Sequence, residues 1–186
     1  MTDTANAPTD TANAPTDRVL LIGMMGAGKT TVGNATAQLL GWPYYDNDVL
    51  LERAVGKDTR RVQQEEGEAF LRRAESAALT MALSEAGPLV AGVAGGVVTD
   101  PLDRQRLCGT GFVVWLRASI DTLVDRVEGT DRPWLGKDPR AALTALYAGR
   151  ADLYRSVASL VLDVDVLPPD ALALRIVGAL THENVA

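Results

Sequence analysis

Apolar residues fall in short unbroken runs, separated by stretches in which they recur at a helical period. Val19–Ile22 is such a run, closed by Gly23, as expected of a strand buried on both faces. Thr30–Leu40 places Val32, Ala35, Leu39 and Leu40 at helical spacing, and Gly41 stops it. Pro43–Tyr45 predicts a second, short strand. Glu66–Leu83 predicts a long amphipathic helix with Phe70, Ala74, Ala77, Ala78 and Met81 on one side. Leu89–Val93 and Phe112–Leu116 predict further buried strands, with a helix ending at Cys108 between them. Leu123–Val127 and Ala141–Val157 read as helices, Leu160–Val164 as a last strand and Pro169–Leu180 as a Pro-initiated helix. Strand and helix alternating at these lengths predict a parallel sheet covered by helices through right-handed crossovers.

The first 17 residues break this pattern. TDTANAP at Thr2–Pro8 is repeated at Thr9–Pro15, and Thr16 begins a third copy. With no Val, Ile, Leu or aromatic side chain, the segment cannot offset its ordering entropy, which predicts a disordered tail over 1–17 before a single domain over 18–186. Composition fits that division: of 186 residues, 47% are apolar and 23% charged, as in an ordinary globular domain. The net charge of −6 argues against nucleic acid as a partner. Asp3, Asp10 and Asp17 in the tail carry half of it, so the body is close to balanced. One cysteine excludes an intramolecular disulfide framework and a thiolate-rich zinc site. Nothing reads as a secretory signal or as the roughly 18 unbroken apolar residues of a membrane helix. The expectation is a cytoplasmic protein with no membrane partner.

Candidate chemistry begins after the first strand. Gly23-Met24-Met25-Gly26-Ala27-Gly28-Lys29-Thr30 matches G-x-x-x-x-G-K-[ST], at the strand-to-helix junction the motif requires. Its glycines let backbone N–H groups face phosphate oxygens, and the helix N-terminus adds positive potential. Gly26, Ala27, Gly28, Lys29, Thr30 and Thr31 are therefore candidate ATP-binding residues. Lys29 would contact the β- and γ-phosphates, and the Thr30 hydroxyl would ligate Mg²⁺. The D-x-x-G and N-K-x-D strings of switch GTPases do not occur. Asp46 and Asp48 close the second strand and share one face if that strand persists. One carboxylate would then serve Mg²⁺ and the other accept a proton from an attacking hydroxyl. Asp46-Asn47-Asp48 is equally a helix N-cap signal, and the residues alone leave both readings open.

With these landmarks in place the chain resembles the shikimate kinase family from about Val19 to Asp165. The resemblance rests on GMMGAGKTTVG at Gly23–Gly33, D-x-D at Asp46–Asp48 and EEGEAFLRRAE at Glu65–Glu75. It continues through AGG at Ala94–Gly96, RPWL at Arg132–Leu135, RADLY at Arg150–Tyr154 and LVLDVD at Leu160–Asp165. It implies a three-layer α/β/α P-loop kinase fold, a five-stranded parallel sheet with helices on both faces and a mobile lid at about 128–140. It also implies a monomer that uses ATP and Mg²⁺ to phosphorylate the 3-hydroxyl of shikimate, a small anionic hydroxylated substrate. By position, Asp48 matches the candidate base and Asp46 the aspartate near Mg²⁺. Arg72 and Arg150 match the arginines gripping the substrate carboxylate, and Gly95 and Gly96 the glycine loop facing the substrate. Arg132 matches the lid arginine at the transferring phosphoryl group, and Arg126 the arginine near adenine.

Several positions depart from the family. Gln63 and Leu71 stand where aromatic residues are usual, Ala94 where a glycine is, and Thr59 where an aliphatic is. Trp134 follows the lid Arg-Pro in place of leucine, and Asp152 replaces a proline. These changes open a second expectation, a diverged enzyme acting on another hydroxylated acid or cyclitol. A third is a nucleotide-binding protein without turnover, against which Lys29, Thr30, Asp48 and Arg132 all stand. Gluconate kinases share a D-R-x-P-W-L-like string, but much earlier in their chains and with a His after the aspartates where Val49 and Leu50 stand here. His182 and Cys108 read as idle, and Lys57, Arg60 and Arg61 as a solvated basic cluster with Arg60 or Arg61 in reach of the pocket rim.

Overall fold

The computed structural model describes residues 17–128 and 135–183. Five parallel strands lie in the order β2-β3-β1-β4-β5: β1 (Arg18–Ile22), β2 (Tyr44–Asp46), β3 (Leu89–Gly92), β4 (Phe112–Arg117) and β5 (Leu160–Asp163). β1 is central, with Val19 beside Val90 of β3 and Phe112 of β4. Its residues Val19–Ile22 are wholly buried, as a strand covered on both faces requires.

The helices are α1 (Lys29–Leu40), α2 (Asn47–Val55), α3 (Thr59–Glu65), α4 (Glu68–Ser84) and α5 (Pro101–Thr110), followed by α6 (Ile120–Val127), α7 (Pro139–Ala148), α8 (Ala151–Val157) and α9 (Pro169–Glu183). α1 and α9 pack together on one face of the sheet, while α5 and α8 pack against β4 on the other. α2 and α3 lean on α4. Gly33 lets α1 close on the sheet, because a Cβ there would overlap the Tyr44 ring and Leu21. Trp115 of β4 anchors the opposite layer, its ring 5.7 Å from that of Tyr154 and 6.5 Å from that of Tyr147. Among the described residues no helix is long and apolar enough to cross a membrane.

The expected fold class stands, and several boundaries move. The second strand runs to Asp46, where the Asp46 side chain accepts from Asp48 N and starts α2. Asp46 and Asp48 therefore do not share a strand face: the N-cap signal at Asp46-Asn47-Asp48 opens α2, while α3 lies where no helix was anticipated. The long helix starts at Glu68 and not Glu66, since Gly67 holds φ 80°. The predicted helix Ala141–Val157 is two, separated at Gly149-Arg150. The helix expected to end at Cys108 continues through Gly109 to Thr110 and leaves the Cys108 thiol exposed. The TDTANAP repeats, Arg132, Trp134 and the His182 side chain lie outside the described residues.

Candidate active site

All strands are parallel, so the segments following β1, β2 and β3 emerge at one edge of the sheet. That is the carboxyl edge, where open α/β sheets bind ligands. After β1 comes the phosphate loop, with Gly23, Gly26 and Gly28 at φ 141°, 80° and 92°, values that side-chain-bearing residues rarely adopt. No side chain caps α1, so its first N–H groups face the loop. Lys29 Nζ donates to the carbonyls of Gly23 (3.0 Å) and Met24 (3.1 Å), which hold the ammonium over the loop.

Asp46 caps α2 and also bonds the phosphate-loop side of the cavity. Its Oδ1 accepts from Asp48 N at 2.9 Å, and its Oδ2 accepts from the Thr30 hydroxyl at 2.9 Å and the Tyr44 hydroxyl at 3.2 Å. Burial and the adjacent Asp46 carboxylate push the Tyr44 hydroxyl far above the usual phenol range, which keeps it a donor. The Thr30 hydroxyl and Asp46 carboxylate thus lie side by side, a pair of hard oxygens of the kind Mg²⁺ takes together with phosphate oxygens and waters. Among the described residues no group of three or more His, Cys, Asp or Glu could hold a metal alone.

After β3 the chain forms the glycine loop. The Gly95 carbonyl accepts from the Tyr154 hydroxyl at 2.7 Å. A Cβ on Gly95 would stand 2.8 Å from the Gly23 carbonyl oxygen, so the glycine loop and phosphate loop touch through backbone alone. Gly96 lies against the Arg72 guanidinium and Glu75 carboxylate, which leave no room for a side chain. Arg72 donates to Glu75 Oε2 at 2.6 Å and Glu68 Oε1 at 3.0 Å. Burial pushes the Glu75 carboxyl up, against the pull of Arg72 and Arg150. Arg150, at the break between α7 and α8, is 7% exposed.

Lys29, Asp46, Asp48, Arg72, Gly95 and Arg150 line one cavity of about 810 Å³, as do Gly26, Gly28, Thr30, Thr31 and Gly96. Its size is that of a small-molecule site. Ala27 and Arg126 instead line a neighbouring cavity of about 270 Å³ at α1 and α9, which Gly28 and Thr31 border as well. Arg126 closes the seam by donating to the Gly26 carbonyl at 3.1 Å.

Of the departures, Thr59, Gln63, Leu71 and Ala94 line the larger cavity, whereas Asp152 sits in the exposed first turn of α8. Arg60 reaches the cavity wall, while Lys57 and Arg61 pair with Glu65 on the surface. Sequence reasoning assigned no role to Glu75, Tyr44 or Tyr154. Only Glu75 carried a signal, its i, i+3 spacing from Arg72 on an amphipathic helix.

Comparison with known proteins agrees with this geometry. A family model described as shikimate kinase matches residues 25–181. The shikimate kinase of Ruegeria pomeroyi is 38% identical over 170 residues, covering 90% of this chain and 87% of that one. The structure of shikimate kinase from Acinetobacter baumannii in complex with shikimate superposes with a TM-score of 0.85 at 32% identity, covering 91% of this chain and 95% of the other. A gluconokinase from Sinorhizobium meliloti, at 20% identity and a TM-score of 0.67, shares the fold. With the family model matching residues 25–181 and a relative 38% identical over 90% of this sequence, the chain belongs to the shikimate kinase family.

Proposed function

We propose that this protein transfers the γ-phosphoryl group of ATP to the 3-hydroxyl of shikimate. The observation that carries the reading is one continuous cavity joining the phosphate loop to Asp48 and to the arginines Arg72 and Arg150. Two guanidinium groups set apart from the phosphate loop suit a substrate carboxylate, since each offers a planar fork of donors. Held there, the acceptor presents a ring hydroxyl to Asp48. Asp48 takes the proton as the hydroxyl oxygen bonds to phosphorus, and the bond to the ADP oxygen breaks in line. Lys29 and the backbone N–H groups of the loop neutralise charge on the phosphates, and Arg132 would do so from the lid. Positioning and charge neutralisation supply most of the rate in such transfers. Thr30 and Asp46 would hold Mg²⁺, which when bound shields the phosphate oxygens. Arg126 and the smaller cavity suit the base of the nucleotide. One chain carries every group named, which supports action as a monomer, with a cytoplasmic location the natural setting for ATP as donor.

The test is ADP release with shikimate and with a panel of hydroxy acids and cyclitols. Saturable turnover with a low KM for shikimate is expected. Turnover confined to another acceptor would favour the diverged enzyme, a reading that Gln63, Leu71 and Ala94 in the cavity wall support. ATP binding without turnover on any acceptor would favour the non-catalytic one. Asp48→Asn should suppress turnover far more than ATP binding, and an unaffected rate would remove Asp48 as the base.

A further inference from the structure

Asp48 is held at two points. Its backbone N–H donates to Asp46 Oδ1 at 2.9 Å, and its Oδ1 accepts from the Thr59 hydroxyl at 3.0 Å. The second bond arrives from a different element, since Thr59 opens α3 while Asp48 lies in the first turn of α2. α3 is itself well fixed. The Asp58 side chain accepts from Arg61 N at 2.8 Å, and Val62, one turn beyond Thr59, is wholly buried beneath it.

We propose that Thr59 is the positioning residue for Asp48, fixing which carboxylate oxygen faces the acceptor. The terminal torsion of an aspartate is broad and roughly two-fold, so an unheld carboxylate presents either oxygen over a wide range of angles. A hydroxyl on Oδ1 removes that freedom and leaves Oδ2 as the oxygen free to take the proton of an acceptor in the cavity. Threonine suits the task because its branched Cβ restricts χ1, so its own hydroxyl is directed with little entropy loss. Thr59 also lines the cavity, and its role in the transfer runs through Asp48. The cavity that Asp48 lines is rich in charge of both signs, Lys29, Arg72 and Arg150 among the cations and Asp46 and Glu75 among the carboxylates. The Thr59 hydroxyl differs from these in donating to the carboxylate without bringing a charge of its own.

The inference rests on Asp48 being the base, and the experiment separates the two. Thr59→Val, Thr59→Ser and Asp48→Asn are compared by steady-state kinetics on shikimate and by thermal unfolding. Thr59→Val removes the hydroxyl at constant shape and should lower kcat roughly tenfold or more, the value of one hydrogen bond to a charged group. Its KM for ATP and its thermal midpoint should stay at wild-type values, and Thr59→Ser should keep wild-type kcat. Wild-type kcat in Thr59→Val would overturn the proposal. So would equal losses in Val and Ser, or a loss that follows a fall in thermal midpoint, because either indicates packing. If Asp48→Asn is fully active the base assignment itself fails; if it is inactive while Thr59→Val is unimpaired, only the role of Thr59 fails.

Discussion

The Tyr154 hydroxyl donates to the Gly95 carbonyl at 2.7 Å and thereby ties α8 to the glycine loop that lines the cavity. The same hydroxyl lies 3.6 Å from the Met24 sulfur in the phosphate loop. A single buried phenol thus touches both halves of the cavity. Tyr154→Phe removes this bond and leaves the Gly95 carbonyl without that donor, at a cost of about 1–2 kcal/mol. The loss should appear mainly as a raised KM for the acceptor, with KM for ATP nearly unchanged, in kinetics run with each substrate varied in turn. Equal changes in both constants would show that the bond serves the fold and not the loop.

Burial pushes the Tyr154 hydroxyl up to about 12, while Arg150 beside it pulls the other way. An acid raised in the folded state keeps its proton there after the unfolded chain has lost it. Its contribution is therefore complete below about pH 10 and disappears as pH rises from there towards 12. A rise of that size is worth on the order of 3 kcal/mol. The thermal midpoint of the wild type should fall more steeply above about pH 10 than that of Tyr154→Phe. Tyr44, also raised, contributes to the slope that both proteins keep.

The strands were legible because they are unbroken apolar runs, and the phosphate loop because its chemistry fixes both composition and spacing. Asp46 was ambiguous between cap and ligand because its two oxygens are separable: one caps α2 and the other accepts from Thr30 and Tyr44 on the cavity side. α3 was not legible: it is short, mostly polar and starts from the cap Asp58, while α2 showed in the sequence only as its cap, Asp46-Asn47-Asp48. The break at Gly149-Arg150 was hidden by an apolar period that continues across it. That break delivers Arg150 into the cavity, so an error in the helix boundary concealed how this candidate residue is presented. The bond from Tyr154 to Gly95 joins residues 59 positions apart, and no local pattern encodes it.

Gly96→Ala should damage binding more than stability. The added Cβ would fall inside the Arg72 guanidinium and close to Glu75 Oε2, both ends of side chains that can swing aside. The backbone at Gly96 has φ −83°, which alanine adopts without strain. The expected result is a KM for the carboxylate-bearing acceptor raised roughly tenfold or more, as for the loss of one arm of a guanidinium–carboxylate pair. The thermal midpoint should shift by little. A large fall in midpoint would mean that Arg72 and Glu75 cannot yield, and that their pairing is structural first.

Asp46 offers the sharpest separation of roles, because its two oxygens do different work. Oδ1 caps α2, while Oδ2 accepts from Thr30 and Tyr44 at the point suited to Mg²⁺. Asp46→Asn keeps a side-chain oxygen able to cap but removes the charge. It should unfold near the wild-type temperature while needing roughly tenfold more Mg²⁺ for half-maximal turnover, the usual scale for a weakened metal site. Asp46→Ala removes both, so it should show the same metal deficit and also lose about 1 kcal/mol of stability from the uncapped helix. Titrating Mg²⁺ and recording thermal unfolding on the two variants side by side reads the roles independently. If Asp46→Asn keeps the wild-type Mg²⁺ requirement, the carboxylate serves only the start of α2, and the metal must be held from the Thr30 side alone.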